Sequence, residues 1–496
     1  MRREMFRMKL KSCRRLLGLG LTMLSLAPIW VGETWAARIS AKDAVRFLNQ
    51  SSFGATRAAI ARVQQIGYDA YLTEQFALPI NPYPNLEFWP TSRPETCIET
   101  CARDNYTYYQ LQKHFFTNAL YGQDQLRQRV AFALSQILVT SSSDVPMPAW
   151  MRPYQQMLYA NAFGNFRELL YNVTVSPTMG RFLDMVNNRC QNRVPLDLNV
   201  CRGGSNFEPN ENYAREVMQL FSVGTYLVNR DGSFKVDTQG NPIFTYTQND
   251  ITEFTRVFTG WVLAPNLPPP AGLVETVPNY RDPMVPRLDS SQREVGHDRG
   301  PKTLLNGAQI PAGTSAPQEL TMAMDNLAFH PNTAPFISLQ LIQHLVTSNP
   351  SPAYIKRVAD VFTASANSPN QLQLVVKAIL TDRAARTAPS ANRQPNYGKL
   401  NEPILFMTRL LRAFNATSDG VLSNVSVSGS PIGASAMSQD IFRAPSVFSF
   451  YPFDYEVPGE DGLLGPAFGI FNTRTGLNRA NFVNRIVFGS IPAAAP

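Results

Sequence analysis

The chain has 496 residues with 45 Lys and Arg against 37 Asp and Glu, a formal charge of +8. Much of that charge sits in the first 36 residues; without their seven basic and two acidic side chains it falls to +3, and no Lys/Arg block with interleaved aromatics remains, which argues against nucleic acid as a partner. The remainder is long enough for two or three cores of ordinary size, or for one large helical domain.

Residues 1–15 carry Arg2, Arg3, Arg7, Lys9, Lys11, Arg14 and Arg15 against Glu4, and an apolar run from Leu16 to Val31 follows. With the small residues of Thr34-Trp35-Ala36-Ala37 this predicts a secretory signal peptide over 1–36, cut after Ala36 or Ala37. The run is short for a bilayer and holds Gly18, Gly20 and Pro28, so no transmembrane anchor is expected after cleavage. Arg14-Arg15 before Leu16-Leu17 resembles a twin-arginine signal only weakly, and the general secretory route is expected. The mature protein is then periplasmic or secreted. Cys13 leaves with the leader; Cys97, Cys101, Cys190 and Cys201 stay, an even count that predicts disulfides in an oxidising compartment. Three pairings exist. Cys97 with Cys101 and Cys190 with Cys201 are favoured because each closes a short polar loop, whereas a four-cysteine zinc site lacks a C-x-x-C pair.

Ser40 to Phe76 reads as two helices, opened by Ser40 with Asp43 and restarted by Gly54 and Thr56. Residues 80–104 read as loop. Tyr106–Tyr121, Asp124–Thr140, Trp150–Asn172 and Pro177–Asn187 read as helices from their apolar spacing. Asp231-Gly232, flanked by Thr225–Val228 and Ser233–Val236, predicts a β-hairpin; Asn229, Asp231 and Ser233 lack the downstream Glu of a calcium loop. Thr247 with Asp250 opens another helix, with Ile251, Phe254, Phe258 and Trp261 on one stripe. Leu263 to Pro311 reads as irregular. Helices resume at Pro317–Phe329, Ala334–Val346, Tyr354–Phe362, Gln371–Leu380 and Lys399–Phe414, followed by a Ser/Gly/Asn loop over 416–439 and an aromatic segment, Ala444–Tyr455. The fold class is mainly α, a large multi-helix domain with a small β-hairpin insertion and long irregular loops. It reads as one domain over 37–490, or as two lobes, 37–262 and 311–490, joined by irregular 263–310.

Two stretches gather reactive side chains. In Pro209–Gly224, Asn210 is placed to cap a helix of about three turns and Gly224 to end it. Tyr213, Val217 and Leu220 face a core, while Arg215 and Glu216 face away with Asn212 and Gln219. Glu211 and Glu216 read as an acid/base pair or oxygen ligands, or, with Arg215 at i+4 from Glu211, as an ordinary helix-surface ion pair. The second stretch is His297-Asp298-Arg299-Gly300-Pro301-Lys302-Thr303 in the irregular segment. Of the other histidines, His330 reads as a helix-end residue and His344, one turn after Gln340, as a hydrogen-bonded half-buried side chain. There is no G-x-S-x-G elbow, H-E-x-x-H, phosphate loop or dinucleotide fingerprint in the mature chain, which argues against the familiar serine hydrolases, zincins, kinases and nicotinamide enzymes. No metal or cofactor is named by the sequence.

Five motifs together resemble the bacterial family called domain of unknown function 1800: Arg46-Phe47-Leu48-Asn49-Gln50 with Phe53-Gly54; Asn210 through Glu216; Tyr246-Thr247-Gln248 through Gly260-Trp261; His297-Asp298 with Lys302-Thr303; and His330-Pro331 through His344. The resemblance runs from about Ala44 to the region of Phe482. It implies a large, mainly helical exported protein, often encoded beside a second exported family, domain of unknown function 1501, and implies no reaction. The chain departs from the family pattern at Ala131–Gln136 and at Phe221, where many members carry histidine. Arg189–Phe207 looks like an insertion. Two functions follow as expectations. One is an exported hydrolase or lyase acting on an envelope or extracellular polymer, with Glu211, Arg215, Glu216, His297, Asp298 and Lys302 in one cleft. The other is a non-catalytic envelope component that binds an exported partner of the domain of unknown function 1501 family through the aromatic segment near Tyr451.

Overall fold

Ser40 starts the first helix as its spacing predicts: its hydroxyl accepts the Asp43 amide at 3.1 Å and donates to the Asp43 carboxylate at 2.7 Å. The computed structural model describes residues 39–86, 93–190, 208–269, 276–387, 396–424, 426–427 and 430–489. The expected leader, Cys201 and most of the inserted cysteine loop lie outside them. Cys97 and Cys101 form a disulfide, and Cys190 is also disulfide-bonded.

In chain order the helices are α1 (Ala41–Ser51), α2 (Arg57–Ala77), α3 (Glu99–Tyr106), α4 (Tyr109–Tyr121), α5 (Gln125–Ile137), α6 (Pro148–Ala160), α7 (Phe166–Thr174) and α8 (Pro177–Phe182). After the central stretch come α9 (Asn212–Gln219), α10 (Gln248–Val257), α11 (Ala316–Ala328), α12 (Thr333–Leu345), α13 (Pro352–Ala364), α14 (Gln371–Thr381), α15 (Arg383–Arg386), α16 (Pro403–Ala413) and α17 (Thr473–Phe488). Strands are two residues long: β1 (Trp261–Val262) pairs antiparallel with β2 (Val285–Pro286), β3 (Lys302–Thr303) with β4 (Gln309–Ile310), and β5 (Ser426–Val427) with β6 (Ser430–Pro431). The chain is mainly α. Among the described residues no helix is long and apolar enough to cross a membrane.

Local chemistry sets several boundaries differently from the apolar spacing. Trp150–Asn172 is two helices, because Asn165 takes the amides of Arg167 and Glu168 and starts α7 afresh. The helix from Pro177 stops at Phe182, as Asp184 and Asn187 turn to positive φ. Lys399–Phe414 begins only at Pro403, whose ring holds the preceding Glu402 in extended backbone. The irregular segment contains β2, β3 and β4. The hairpin forms at Asp231-Gly232, with the Asn229 amide on the Ser233 carbonyl at 2.8 Å and Gly232 at φ +81°. Asp231 is consumed by its own turn, accepting the Ser233 amide and hydroxyl at 3.1 and 2.6 Å. A second turn after Asp237 returns the chain so that Ile243 bonds both Lys235 and Leu227.

From Ile39 on, the described chain forms one compact unit. Its core is built around α5 and α12, which pack on each other; α5 also meets α2, α4 and α6, and α12 meets α13. In each of these two helices 11 of 13 residues are buried. A helix enclosed on all sides is expected to be apolar all round. These two instead bury Arg129 and Gln136 on α5, and Gln340, Gln343 and His344 on α12. Polar groups so placed need partners, and finding those partners locates the site.

Candidate functional site

Glu211, not Asn210, holds the cap position of the central helix and makes no side-chain capping bond; Asn210, one residue earlier, accepts the first helical amide, that of Asn212, at 2.8 Å. The helix is two turns rather than three. After Gln219 the turns widen, and the amides of Val223 and Gly224 both return to the Met218 carbonyl, with Gly224 at φ +75° against the Phe336 ring. Arg215 pairs with Glu211 at 3.1 Å with side chains 41% and 35% exposed, and Glu211 also accepts the Gln248 amide at 3.0 and 2.9 Å. Glu216 turns inward, where burial raises its carboxyl pKa against the pull of Arg215.

His297, Asp298 and Lys302 come together at the far end of α10, all within 1% of complete burial. Lys302 donates to the Asp298 and Gly300 carbonyls at 2.5 and 3.1 Å and meets both oxygens of the sealed Glu319 at 2.8 and 2.7 Å. Glu319 lies 3.3 Å from His297 Nε2, while His297 Nδ1 faces the Thr259 carbonyl at 2.9 Å. Arg256 grips Asp298 with two nitrogens at 2.9 and 3.1 Å and reaches Glu253. Gly260, at φ +82°, lets the chain pass His297, since a β-carbon there would lie 2.7 Å from that of His297. Burial lowers the Lys302 pKa, and Glu319 works against it. The Glu211 group contacts the start of α10 at Gln248 and the His297 group its end at Arg256, a rise of about 12 Å along the helix. The first group is on the surface, and the second is a closed ionic knot tying α10, α11 and the β3 loop.

The groups on α5 and α12 meet a third set from the C-terminal part. Glu402, wholly buried, precedes α16, and Gln439 acts for it: the Gln439 oxygen takes the Ile404 amide at 2.9 Å, while its nitrogen donates to Glu402 Oε2 at 2.6 Å. Glu402 is thereby freed from capping. The same carboxylate oxygen accepts the Tyr451 hydroxyl at 2.8 Å, and Tyr451 also reaches Gln136 at 3.3 Å. Lys399 Nζ donates to the Gln343 and His344 carbonyls, the last turn of α12, at 3.0 and 2.7 Å. Arg129 bonds the His344 carbonyl from the other side. Above them opens a pocket; Gln136, Gln340, His344, Lys399, Phe448 and Phe453 are among its walls. Tyr451 faces inward, contrary to its expected place on a contact surface, and Phe453 packs edge-on against Phe336 with centroids 5.5 Å apart.

The electrostatics of this pocket differ from those of the other two clusters. Desolvation brings the Lys399 pKa down to about 7, with the Arg129 and Arg409 charges adding to it and Glu402 opposing. Burial would raise Glu402, but Lys399, Arg129 and His344 outweigh it and hold the carboxyl below its ordinary range. Burial, then the Lys399 and Arg129 charges, push His344 down to about 3, so its ring is neutral. A neutral Lys399 amine has two N–H groups, and the two carbonyls take both, leaving the nitrogen lone pair free. That is a base poised near neutral pH in a concave, partly aromatic pocket. Among the described residues no three His, Cys, Asp or Glu side chains gather as metal ligands.

Sequence reasoning placed no site here. The available signal was a set of polar residues inside apolar helices: Gln340, Gln343 and His344 at i, i+3 and i+4, and Arg129 with Gln136 at i and i+7. A family model described as a protein of unknown function (DUF1800) matches residues 46–462, most of the chain. No curated protein and no solved structure matches it.

Proposed function

We propose, from the premise that the chain belongs to the DUF1800 family, that it is an exported protein whose working site is the pocket over Lys399. There it performs hydrolase- or lyase-type chemistry on an envelope or extracellular polymer. The observation that carries this reading is the placement of the Lys399 amine at the wall of an open pocket, held by the Gln343 and His344 carbonyls at 3.0 and 2.7 Å, where desolvation brings its pKa down to about 7. Such an amine takes a proton from a substrate carbon or an attacking water and returns it as an ammonium. Glu402 is sealed from the pocket and positions: it holds Tyr451 and opposes the positive charge around Lys399. Glu211 and Arg215 form a surface ion pair, Glu216 is buried, and His297, Asp298 and Lys302 supply rigidity. The leader that the sequence predicts supports export.

Two measurements test it. An amine-selective acylating reagent near pH 7 labels Lys399 ahead of the other lysines, as read by peptide mass spectrometry. The mature protein releases reducing ends or an unsaturated, ultraviolet-absorbing product from one of a panel of envelope polymers, and K399M does not. Turnover that survives in a folded K399M protein would sink this reading.

A second reading keeps the protein non-catalytic, bound to an exported partner of the domain of unknown function 1501 family. What favours it is the hairpin segment, where Phe234 and Phe244 are 56% and 63% exposed and both pack on Tyr226. Stoichiometric co-purification of such a partner, lost in F234S/F244S, together with no turnover of any polymer, would select it.

A further inference from the structure

The pocket over Lys399 holds more donors and more positive charge than its own residues use. Lys399, Arg129 and Arg409 gather around one carboxylate, Glu402, with Arg479 also acting on Glu402 and Tyr451; His344 and Tyr451, which face them too, are neutral. Glu402 spends one oxygen on Gln439 and Tyr451. Gln136 Nε2 and Gln340 Nε2, on two walls of the pocket, are buried without a hydrogen-bond acceptor, and so are Nε and Nη1 of Arg129 behind them. Buried donors without acceptors are costly and uncommon. On the opposite side of the balance, Gln343 Oε1 and Glu402 Oε1 lack donors, and Ser348 and Ser449 line the same space. Phe448, 43% exposed, and Phe453 provide flat apolar walls.

We propose that the pocket recognises the carboxylate of an acidic sugar unit: Lys399 and the Gln136 and Gln340 amides take the carboxylate, while Phe448 and Phe453 pack the ring. The inference rests on the reading of this pocket as the working site and narrows its substrate to a uronate-bearing polymer. The unmatched donors are what a carboxylate supplies acceptors for, and Gln343 Oε1 accepts a ring hydroxyl. Proton linkage follows. The site binds the anion with Lys399 as ammonium, its third N–H occupying the place of the lone pair, so affinity rises as pH falls through about 7.

The test is titration calorimetry of the mature protein with a glucuronate oligosaccharide and with the matching neutral glucose oligosaccharide, on both sides of neutral pH. The acidic sugar is expected to bind at least about tenfold tighter than the neutral one, the loss of one charge-assisted hydrogen bond being of that order. K399M and Q340L should each weaken it about tenfold while melting within a few degrees of the parent protein. Equal binding of the two sugars, or an affinity that does not change with pH, overturns the carboxylate assignment. Turnover of a neutral polymer that depends on Lys399 also overturns it, but leaves the pocket as the working site. Uronate binding that is lost in K399M and Q340L, without turnover of any polymer, upholds the recognition and removes the enzyme reading.

Discussion

Lys302→Met separates a structural knot from a chemical one. Lys302 has no exposed side-chain surface and makes charge-assisted contacts to two carbonyls and to Glu319. Methionine matches the stem in length but leaves Glu319 as a buried carboxylate facing only His297 at 3.3 Å. Removing one partner of a buried ion pair costs about 3–5 kcal/mol, far more than the net worth of the intact pair, because the remaining charge is stranded. For a domain of roughly 450 residues the unfolding entropy at the melting point is about 1 kcal/mol/K, so the melting temperature should fall by about 3–5 °C. Scanning calorimetry reads this directly. Adding Glu319→Met should restore most of the loss, since replacing both charges by apolar groups is close to neutral. A K302M protein that melts within about 1 °C of the parent while polymer turnover disappears would refute this, for the knot would then be acting chemically.

Acid should weaken the fold before its carboxylates titrate. His344 and His330 are held at about 3 and about 4, burial being the leading cause of both. Folding therefore excludes a proton that the unfolded chain binds below about pH 6.5. Stability is complete above that value and falls toward pH 4, with about 2 kcal/mol lost per histidine at pH 5. Urea midpoints at neutral and mildly acidic pH measure it, and His330→Gln should remove about half of the difference. Glu211→Gln alters exposed contacts, the pair with Arg215 and the hydrogen bonds from Gln248; it should shift stability by less than about 0.5 kcal/mol and leave turnover intact, and a large loss of turnover would return the central helix to the chemistry.

The helices were readable wherever a cap or an apolar stripe speaks locally. Thr247 and Asp250 form the expected reciprocal capping box, and Asn210 captures the Asn212 amide, though from one residue ahead of the cap. Lengths failed where turn chemistry intervened, as at Asn165 and Glu402-Pro403, because apolar spacing continues across such breaks while the backbone does not. The pocket was not readable, since its residues come from α5, α12, the start of α16 and the aromatic segment, and each stands singly in its own apolar run. Tyr451 looks like a surface aromatic until Glu402, 49 residues away in sequence, accepts its hydroxyl. Departures from the family pattern pointed nearest: Gln136 ends the altered Ala131–Gln136 segment and lines the pocket, and Phe221 follows Leu220, which lines it as well.

Gln439 ties the first turn of α16 to Glu402 with a single side chain. Consequently the arrangement around Arg129 is finished by a residue met 310 positions later in synthesis, as their numbers show. Closing a loop of that span costs entropy before any contact rewards it. Until Gln439 and Tyr451 dock, Arg129 on α5 and Lys399, just ahead of α16, face a counter-charge, Glu402, that is incompletely anchored. The surroundings of Lys399 and Glu402 are therefore completed only once nearly all of the chain has emerged.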